Sequence, residues 1–343
     1  MATRVRSHAK INLGLAVGPV RADGFHGLTT IYQTLAVYDV VTVSARVAAK
    51  TSIVLTSDHA GVPCTATGDA ERNTAWKMIA GALARMGVAA EVEIDIRKRL
   101  PVQGGLGAGS ANAVAALLGL ERELGQALPE ALRLELSAEV GSDVPLFLLG
   151  GTVLGLGRGE EVYALPDGPA LACVVALPEV GVSTALAFRE LDARGAANKL
   201  ELTSRPVVDK LRELSYALAA VGTPTGAEAG PSGIARPGVL GIQGDLAENP
   251  LLALVRTGME NDFEEGVFSQ HPFLRSTKRD LMGTSGDEAL YASLSGSGSA
   301  LFGLYESQTA ARAAQHRVQS NGMRAIVTET LPRREYWATM FAE

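Results

Sequence analysis

Pro101-Val102-Gln103-Gly104-Gly105-Leu106-Gly107-Ala108-Gly109-Ser110 is the stretch on which the reading of the fold turns. Four glycines fall between Gly104 and Gly109, with a strand pattern before them and a helix pattern after. Val92, Ile94 and Ile96 alternate with Glu93, Asp95 and Arg97, the period-two signature of a strand, which Pro101 then stops. Beyond the glycines, an alanine- and leucine-rich run from Ala111 to Leu124 is long enough for a buried helix. Glycines let backbone amides converge on an anion, and a helix start adds unpaired amides and a positive dipole end. A strand, a glycine loop and a helix therefore read as phosphate-binding architecture in an α/β unit rather than as a plain tight turn. It is not a Walker loop: Gly104 and Gly109 are correctly separated, but Ser110 stands where lysine is required. The dinucleotide fingerprint fails as well, because counting from Gly105 and Gly107 its third glycine falls on Ser110.

Upstream, Ile11, Leu13 and Leu15 alternate with Lys10, Asn12 and Gly14, so Ala9 to Val17 reads as a half-buried strand. Val37 to Val43 and Ile53 to Leu55 read similarly. Asn73 is placed to cap a helix with apolar positions Trp76, Ile79, Leu83 and Met86 that ends near Gly87. Downstream, a helix opens at Pro129 and stops at Gly141. Strand-like segments Thr152–Leu156 and Leu171–Leu177 follow the Gly150–Gly151 pair, and a domain boundary is expected near them. The second half is less regular. Residues 221–249 hold seven glycines and three prolines among few bulky groups, an insertion more than a packed element. Leu301–Leu304, Ser307–Arg317 and Ala325–Thr328 form a strand, helix, strand sequence.

Composition bounds the function. The 343 residues suggest about two domains, given roughly 150 residues per domain. At 47% apolar and 20% charged the chain is ordinary globular protein, and only glycine, at 38 residues, is in excess. A formal charge of −6 with no long basic run argues against nucleic acid as the main partner. Cys64 and Cys173 cannot make a disulfide framework or a zinc knuckle, which fits a reducing compartment. The longest apolar stretches, such as Leu171–Leu177, are far below the roughly 18 residues of a spanning helix, and no signal core follows the basic start. The expectation is a cytoplasmic protein with no membrane partner.

Taken singly, the polar candidates are unremarkable. A strand lysine such as Lys10 is ordinarily solvated. Asp143, after a helix-ending glycine, reads as a cap or turn aspartate, and His26 as a loop histidine. Ser295-Gly296-Ser297-Gly298-Ser299 could bring amides and hydroxyls to an anion, but a flexible turn is the commoner meaning.

Together they resemble a family. Ala9-Lys10-Ile11-Asn12-Leu13, Arg21-Ala22-Asp23-Gly24-Phe25-His26, the glycine loop, Gly141-Ser142-Asp143-Val144-Pro145 and Leu294-Ser295-Gly296-Ser297-Gly298 match, in order and spacing, the motifs of the GHMP small-molecule kinases. Arg21–His26, Gln33 and Glu260-Asn261-Asp262-Phe263-Glu264 resemble the branch whose substrate is a methylerythritol linked to cytidine diphosphate. The resemblance spans residues 4 to about 305, apart from the insert.

It implies an α/β (α+β) two-domain GHMP-kinase fold: an N-terminal ATP-binding domain over 1–155 and a ferredoxin-like C-terminal domain over 156–343, with chemistry in the cleft between them. ATP would phosphorylate the C2 hydroxyl of the methylerythritol unit, a step in the non-mevalonate route to isoprenoids. Asp143 is then the expected base, and Lys10 the cation that orients the hydroxyl and offsets charge on the moving phosphoryl group. Pro101 to Ala111 would hold ATP. Phe25 and His26 would receive the cytosine, Asn12 would lie near the diphosphate or the reactive end, and Thr184 is a further substrate-side candidate. Magnesium would arrive on ATP, its protein ligands undefined. Departures from the family pattern are Phe25 for tyrosine, Ala108 and Ala111 for glycine and serine, and His8 and Ser299 for prolines. Ser110 is left alone to hold phosphate or magnesium through a hydroxyl. Two other readings stay open: a GHMP kinase acting on another small alcohol, and a nucleotide-binding regulator without transfer activity. The oligomeric state is not readable.

Overall fold

The computed structural model describes residues 2–21, 24–197, 260–284 and 286–342. The glycine-rich insert at 221–249, together with Ala22 and Asp23, lies outside the described residues. In the first sheet, strand β1 (Thr3–Val20) and strand β2 (His26–Val47) form a long antiparallel hairpin. The other edge of β2 is shared. Its C-terminal half pairs with β4 (Ala90–Arg97), which runs parallel to β3 (Ser52–Ser57). Its N-terminal half pairs with β5 (Thr152–Leu156), which in turn pairs with β6 (Glu161–Ala164).

Two helices cover one face of this sheet. Helix α1 (Thr74–Met86) begins where the Asn73 side chain accepts from the Ala75 amide and ends at Gly87 in the left-handed conformation, as its sequence predicts. Helix α2 (Ala108–Leu124) starts three residues earlier than the alanine run and is buried almost all round. Val5, Val41, Val43 and Leu55 of the sheet pack with Met78, Ile79, Leu117 and Leu120 of these helices. Helices α3 (Glu130–Val140) and α4 (Leu146–Leu149) carry the chain from α2 to β5.

The second sheet is antiparallel, in the order β10–β7–β9–β8: Arg324–Glu329, Ala172–Leu177, Leu301–Tyr305 and Tyr291–Leu294. Among the described residues chain order gives β7, helix α5 (Thr184–Ala197), helices Glu264–Gln270 and Pro272–Met282, β8, β9, helix Gln308–Ser320 and β10, the β-α-β-β-α-β alternation of a ferredoxin-like unit with additional helices in its first crossover. This is the fold the family resemblance implies. The chain leaves the first sheet after Ala164, enters the second at Ala172, and returns at Phe341–Ala342 as strand β11 beside β1. Ala9, Ile11, Leu13, Ile31 and Leu35 from the first sheet share one apolar cluster with Cys173, Val175, Leu177, Phe302 and Leu304 from the second. The two sheets are thus joined beneath the cleft by continuous core. Among the described residues, no helix is long and apolar enough to cross a membrane.

β1 departs from the half-buried strand expected of it. Lys10 and Asn12, on the face read as solvated, are 2% and 1% exposed. The glycine loop and α2 cover that face, and register shifts between His8 and Lys10 and between Asn12 and Gly14 re-aim the side chains between them.

Candidate active site

A cleft of about 790 Å³ opens where the ends of β1 and β2, the glycine loop, α5 and the Ser295–Ser299 turn meet. At its floor the Lys10 ammonium lies 3.2 Å from Asp143 Oδ2. These residues come from the opening strand and from mid-chain. Asp143 sits in the turn closed by the Val144 amide on the Gly141 carbonyl, and its carboxyl caps nothing. Lys10 Nζ also donates to Asn12 Oδ1 at 2.6 Å, while Asn12 Nδ2 donates to Thr30 Oγ1 at 2.7 Å. Almost wholly buried, the lysine is held by a chain of satisfied polar groups. The other carboxylate oxygen, Asp143 Oδ1, accepts from the Tyr32 hydroxyl at 3.0 Å.

The glycine loop is locked onto this floor. The Lys10 amide donates to the Leu106 carbonyl at 2.9 Å. At Gly107, φ is +68° and an added Cβ would lie 2.9 Å from Lys10 Cγ. From the second sheet, Ser295 Oγ donates to the Gly105 carbonyl at 2.9 Å and the Ala300 amide to the Gly104 carbonyl at 3.2 Å. Gly105, at φ +76°, approaches so closely that a Cβ would fall 2.1 Å from the Ser295 carbonyl oxygen. No other residue fits. The first bond of α2 runs from the Ala111 amide to the Gly107 carbonyl, so the amides of Ala108, Gly109 and Ser110 have no acceptor within the helix. They form the positive end expected for a phosphate.

The serine-glycine turn is not the flexible link its composition suggests. Buried Asn261 donates to the carbonyls of Leu294 and Gly296, and Glu264 accepts from Ser293 Oγ and the Leu294 amide. Two branch-marking residues of 260–264 therefore act by fixing the Ser295–Ser299 turn. Gln33, the other marker, is buried and bonds the Leu331 carbonyl and Thr152 Oγ1.

The far end of the cleft is aromatic and more open. His26 Nδ1 pairs with the Gly18 carbonyl at 2.9 Å, Nε2 lies 3.3 Å from Asp192 Oδ1, and the ring stacks on Phe188 with centroids 5.0 Å apart. Phe188 meets Phe263 edge-on. Phe25 is 54% exposed, and the Arg158 guanidinium lies over its ring at 5.2 Å. Thr184 Oγ1, at the start of α5, is 2.8 Å from Ser297 Oγ.

Of the residues singled out from sequence, Lys10, Asn12, Phe25, His26, Gln103, Gly105, Gly107, Asp143 and Thr184 line this one cleft. Pro101, Val102 and Gly104 border a small adjoining recess against Val180 and Ser299. The side chains of Leu106, Ala108 and Ala111 are buried in the core, and the Ala111 amide is spent within the helix. Lining residues that the sequence reading did not single out include Tyr32, Arg158, Phe188 and Asp192. Thr184, Phe188 and Asp192 recur every four residues, one face of a helix, which is a usable signal. Tyr32 carries none, since an aromatic residue amid strand hydrophobics reads as core. Among the described residues there is no group of three His, Cys, Asp or Glu side chains that could hold a metal ion.

Comparison with known proteins places this arrangement in context. The GHMP kinases N terminal domain profile matches residues 73–151 and the GHMP kinases C terminal profile residues 245–323. A 4-diphosphocytidyl-2-C-methyl-D-erythritol kinase of Solibacter usitatus is 35% identical over 306 residues, 89% of this chain and 82% of its own. One from Moorella thermoacetica is 32% identical, covering 95% of this chain and 98% of its own. A crystal structure of a 4-(cytidine 5'-diphospho)-2C-methyl-D-erythritol kinase superposes with a TM-score of 0.63 at 25% identity, covering 95% of this chain and 99% of that one. A homoserine kinase from Cytophaga hutchinsonii shares the fold, with a TM-score of 0.67 at 21% identity, covering 98% and 96%.

Proposed function

The chain belongs to the 4-diphosphocytidyl-2-C-methyl-D-erythritol kinases within the GHMP kinases and transfers a phosphoryl group from ATP to that alcohol, and we propose that Lys10 and Asp143 carry the transfer. The observation behind this reading is the 3.2 Å approach of the two side chains beside the glycine loop. The C2 hydroxyl of the methylerythritol unit would sit against Asp143. Its oxygen forms a bond to the γ-phosphorus of ATP, the bond from that phosphorus to the bridging oxygen breaks, and ADP leaves with the electron pair. Asp143 accepts the hydroxyl proton as the oxygen–phosphorus bond forms. Phosphoryl transfer passes through a loose transition state, so positioning and charge matter more than the strength of the base. Lys10 lies where it meets the negative charge on the transferring group and orients the accepting hydroxyl.

The amides of Gly105, Gly107 and the first turn of α2 would cradle the ATP phosphates. Magnesium, when bound, neutralises phosphate charge. The nucleotide would carry the ion, and the Ser110 hydroxyl is the side-chain oxygen within the loop motif that would approach it. Phe25, His26 and Phe188 supply aromatic faces and ring nitrogens suited to a cytosine. Asn12 and Thr184 border the path between base and hydroxyl. We assign the ATP-binding domain to the first sheet with its helices and the C-terminal domain to the second, the chain passing between them over 165–171. The compartment this reading implies is the cytoplasm.

Asp143→Asn provides the test. With ATP and the cytidylyl alcohol, ADP release should fall about 10²-fold to 10⁴-fold at unchanged ATP affinity. Full activity of the variant would remove Asp143 from its assigned role. Turnover of homoserine or mevalonate by the wild type, without turnover of the cytidylyl alcohol, would overturn the substrate assignment.

A further inference from the structure

Asp143 is held from both sides, and only one of its holders belongs to the lysine–aspartate pair just described. The second is Tyr32. Its ring is among the largest fully buried side chains, inside β2. The Lys10 ammonium lies 5.5 Å from the ring centroid. Gly155 on β5 makes the space, since a Cβ there would stand 2.5 Å from Tyr32 Cε2. The hydroxyl emerges at the cleft floor, where it donates to Asp143 Oδ1 at 3.0 Å and lies 3.4 Å from the Gly159 carbonyl oxygen. Burial, with Asp143 beside it, raises the phenol well above its ordinary range, so it stays a donor.

We propose that Tyr32 is a positioning residue for phosphoryl transfer: its hydroxyl fixes the rotation of the Asp143 carboxylate, so that the face left free by Lys10 and Tyr32 points at the accepting alcohol. The geometry distinguishes this from packing alone. A tyrosine serving only the core would need its hydroxyl satisfied, and the carbonyl of Gly159 is already close by. Here the hydroxyl makes its shorter contact with the one carboxylate that must point in a single direction. A carboxylate anchored at one oxygen alone can still swing about its Cβ–Cγ bond. Anchored at both, it cannot. Pre-set orientation of a reacting group is worth large factors in rate.

The inference rests on Asp143 being the base, and the experiment separates the two ideas. Tyr32→Phe removes one oxygen and keeps the ring. Its kcat should fall about tenfold, the scale of one hydrogen bond to a charged group, while KM for ATP and for the cytidylyl alcohol stay within about twofold. Added to Asp143→Asn, the same change should cause no further loss, because the tyrosine acts only through that carboxylate. A structural role would instead raise KM or lower kcat in both backgrounds. If the variant is less stable, single-turnover rates at saturating substrates, counted per folded enzyme, give the same comparison. Unchanged kcat in Tyr32→Phe alongside an inactive Asp143→Asn overturns the inference alone. An active Asp143→Asn overturns both.

Discussion

The two ends of the cleft are built differently. At the reacting end, Lys10, Asn12, Tyr32 and Thr30 lie on two paired strands, all buried, and every polar head group has its partner before any substrate arrives. At the aromatic end, Phe25 lies on the exposed turn before β2 and is half in water, while Phe188 and Asp192 lie on α5. Order at the first end comes from burial and hydrogen bonding. At the second, the side chains hold one another: His26 stacks on Phe188, and its Nε2 lies 3.3 Å from Asp192 Oδ1. The difference suggests a site in which chemistry is pre-set and recognition is adjustable.

The sharpest way to break that contrast is to loosen the rigid end. Gly105→Ala puts a methyl group into the Ser295 carbonyl at a left-handed position, which unseats the clamp between the two glycine-rich turns. The ratio kcat/KM for ATP should drop about 10²-fold, the cost of misplacing reacting groups by roughly an ångström. Steady-state kinetics across ATP concentrations would measure it, and normal kinetics would show that the loop is not pre-set. A smaller effect is expected at the adjustable end. Phe25→Ala should raise KM for the cytidylyl alcohol about tenfold through lost stacking, with kcat nearly unchanged. A fall in kcat instead would mean that the two ends are not separable.

The smallest expected effect is on stability. His8 lies two residues before Lys10 on the same strand, bonded to the Leu35 carbonyl at 3.1 Å. Burial, with Arg6 nearby, pushes its pKa down from 6.5 to about 4. The unfolded chain therefore takes up a proton before the folded one does. Stability from this group is complete above pH 6.5 and is lost as the pH falls toward 4. Urea unfolding should show the wild type losing about 2 kcal/mol more than His8→Gln between pH 7 and 4.5. Parallel losses would show that burial at this end carries no such proton linkage.

Much of this was legible in the sequence, for physical reasons. The helix from Asn73 to Gly87 is marked by its cap, its spacing and its terminal glycine, all local signals. The glycine loop announces itself because few other residues tolerate its backbone. Lys10 misleads as a single residue: alternation predicts two faces but not what covers them, and the glycine loop that buries this lysine is about 90 residues away. The Ser295–Ser299 turn reads as flexible for the same reason, since Asn261 and Glu264 hold it from outside. Tyr32 is the clearest case. Nothing local separates a tyrosine that fills a core from one whose hydroxyl reaches a carboxylate 111 positions later. Only the family motifs, matched in order, bring Lys10 and Asp143 together in advance.

The apolar cluster joining both sheets under the cleft has a consequence for how substrates enter. Opening the two halves like jaws would tear Ile11 and Leu13 from Val175 and Phe302, exposing well-packed core to water. The site is better pictured as a mould with a fixed base and a soft lip. Seating a ligand by turning side chains at the rim leaves that shared core intact, whereas a swing of whole lobes would break it.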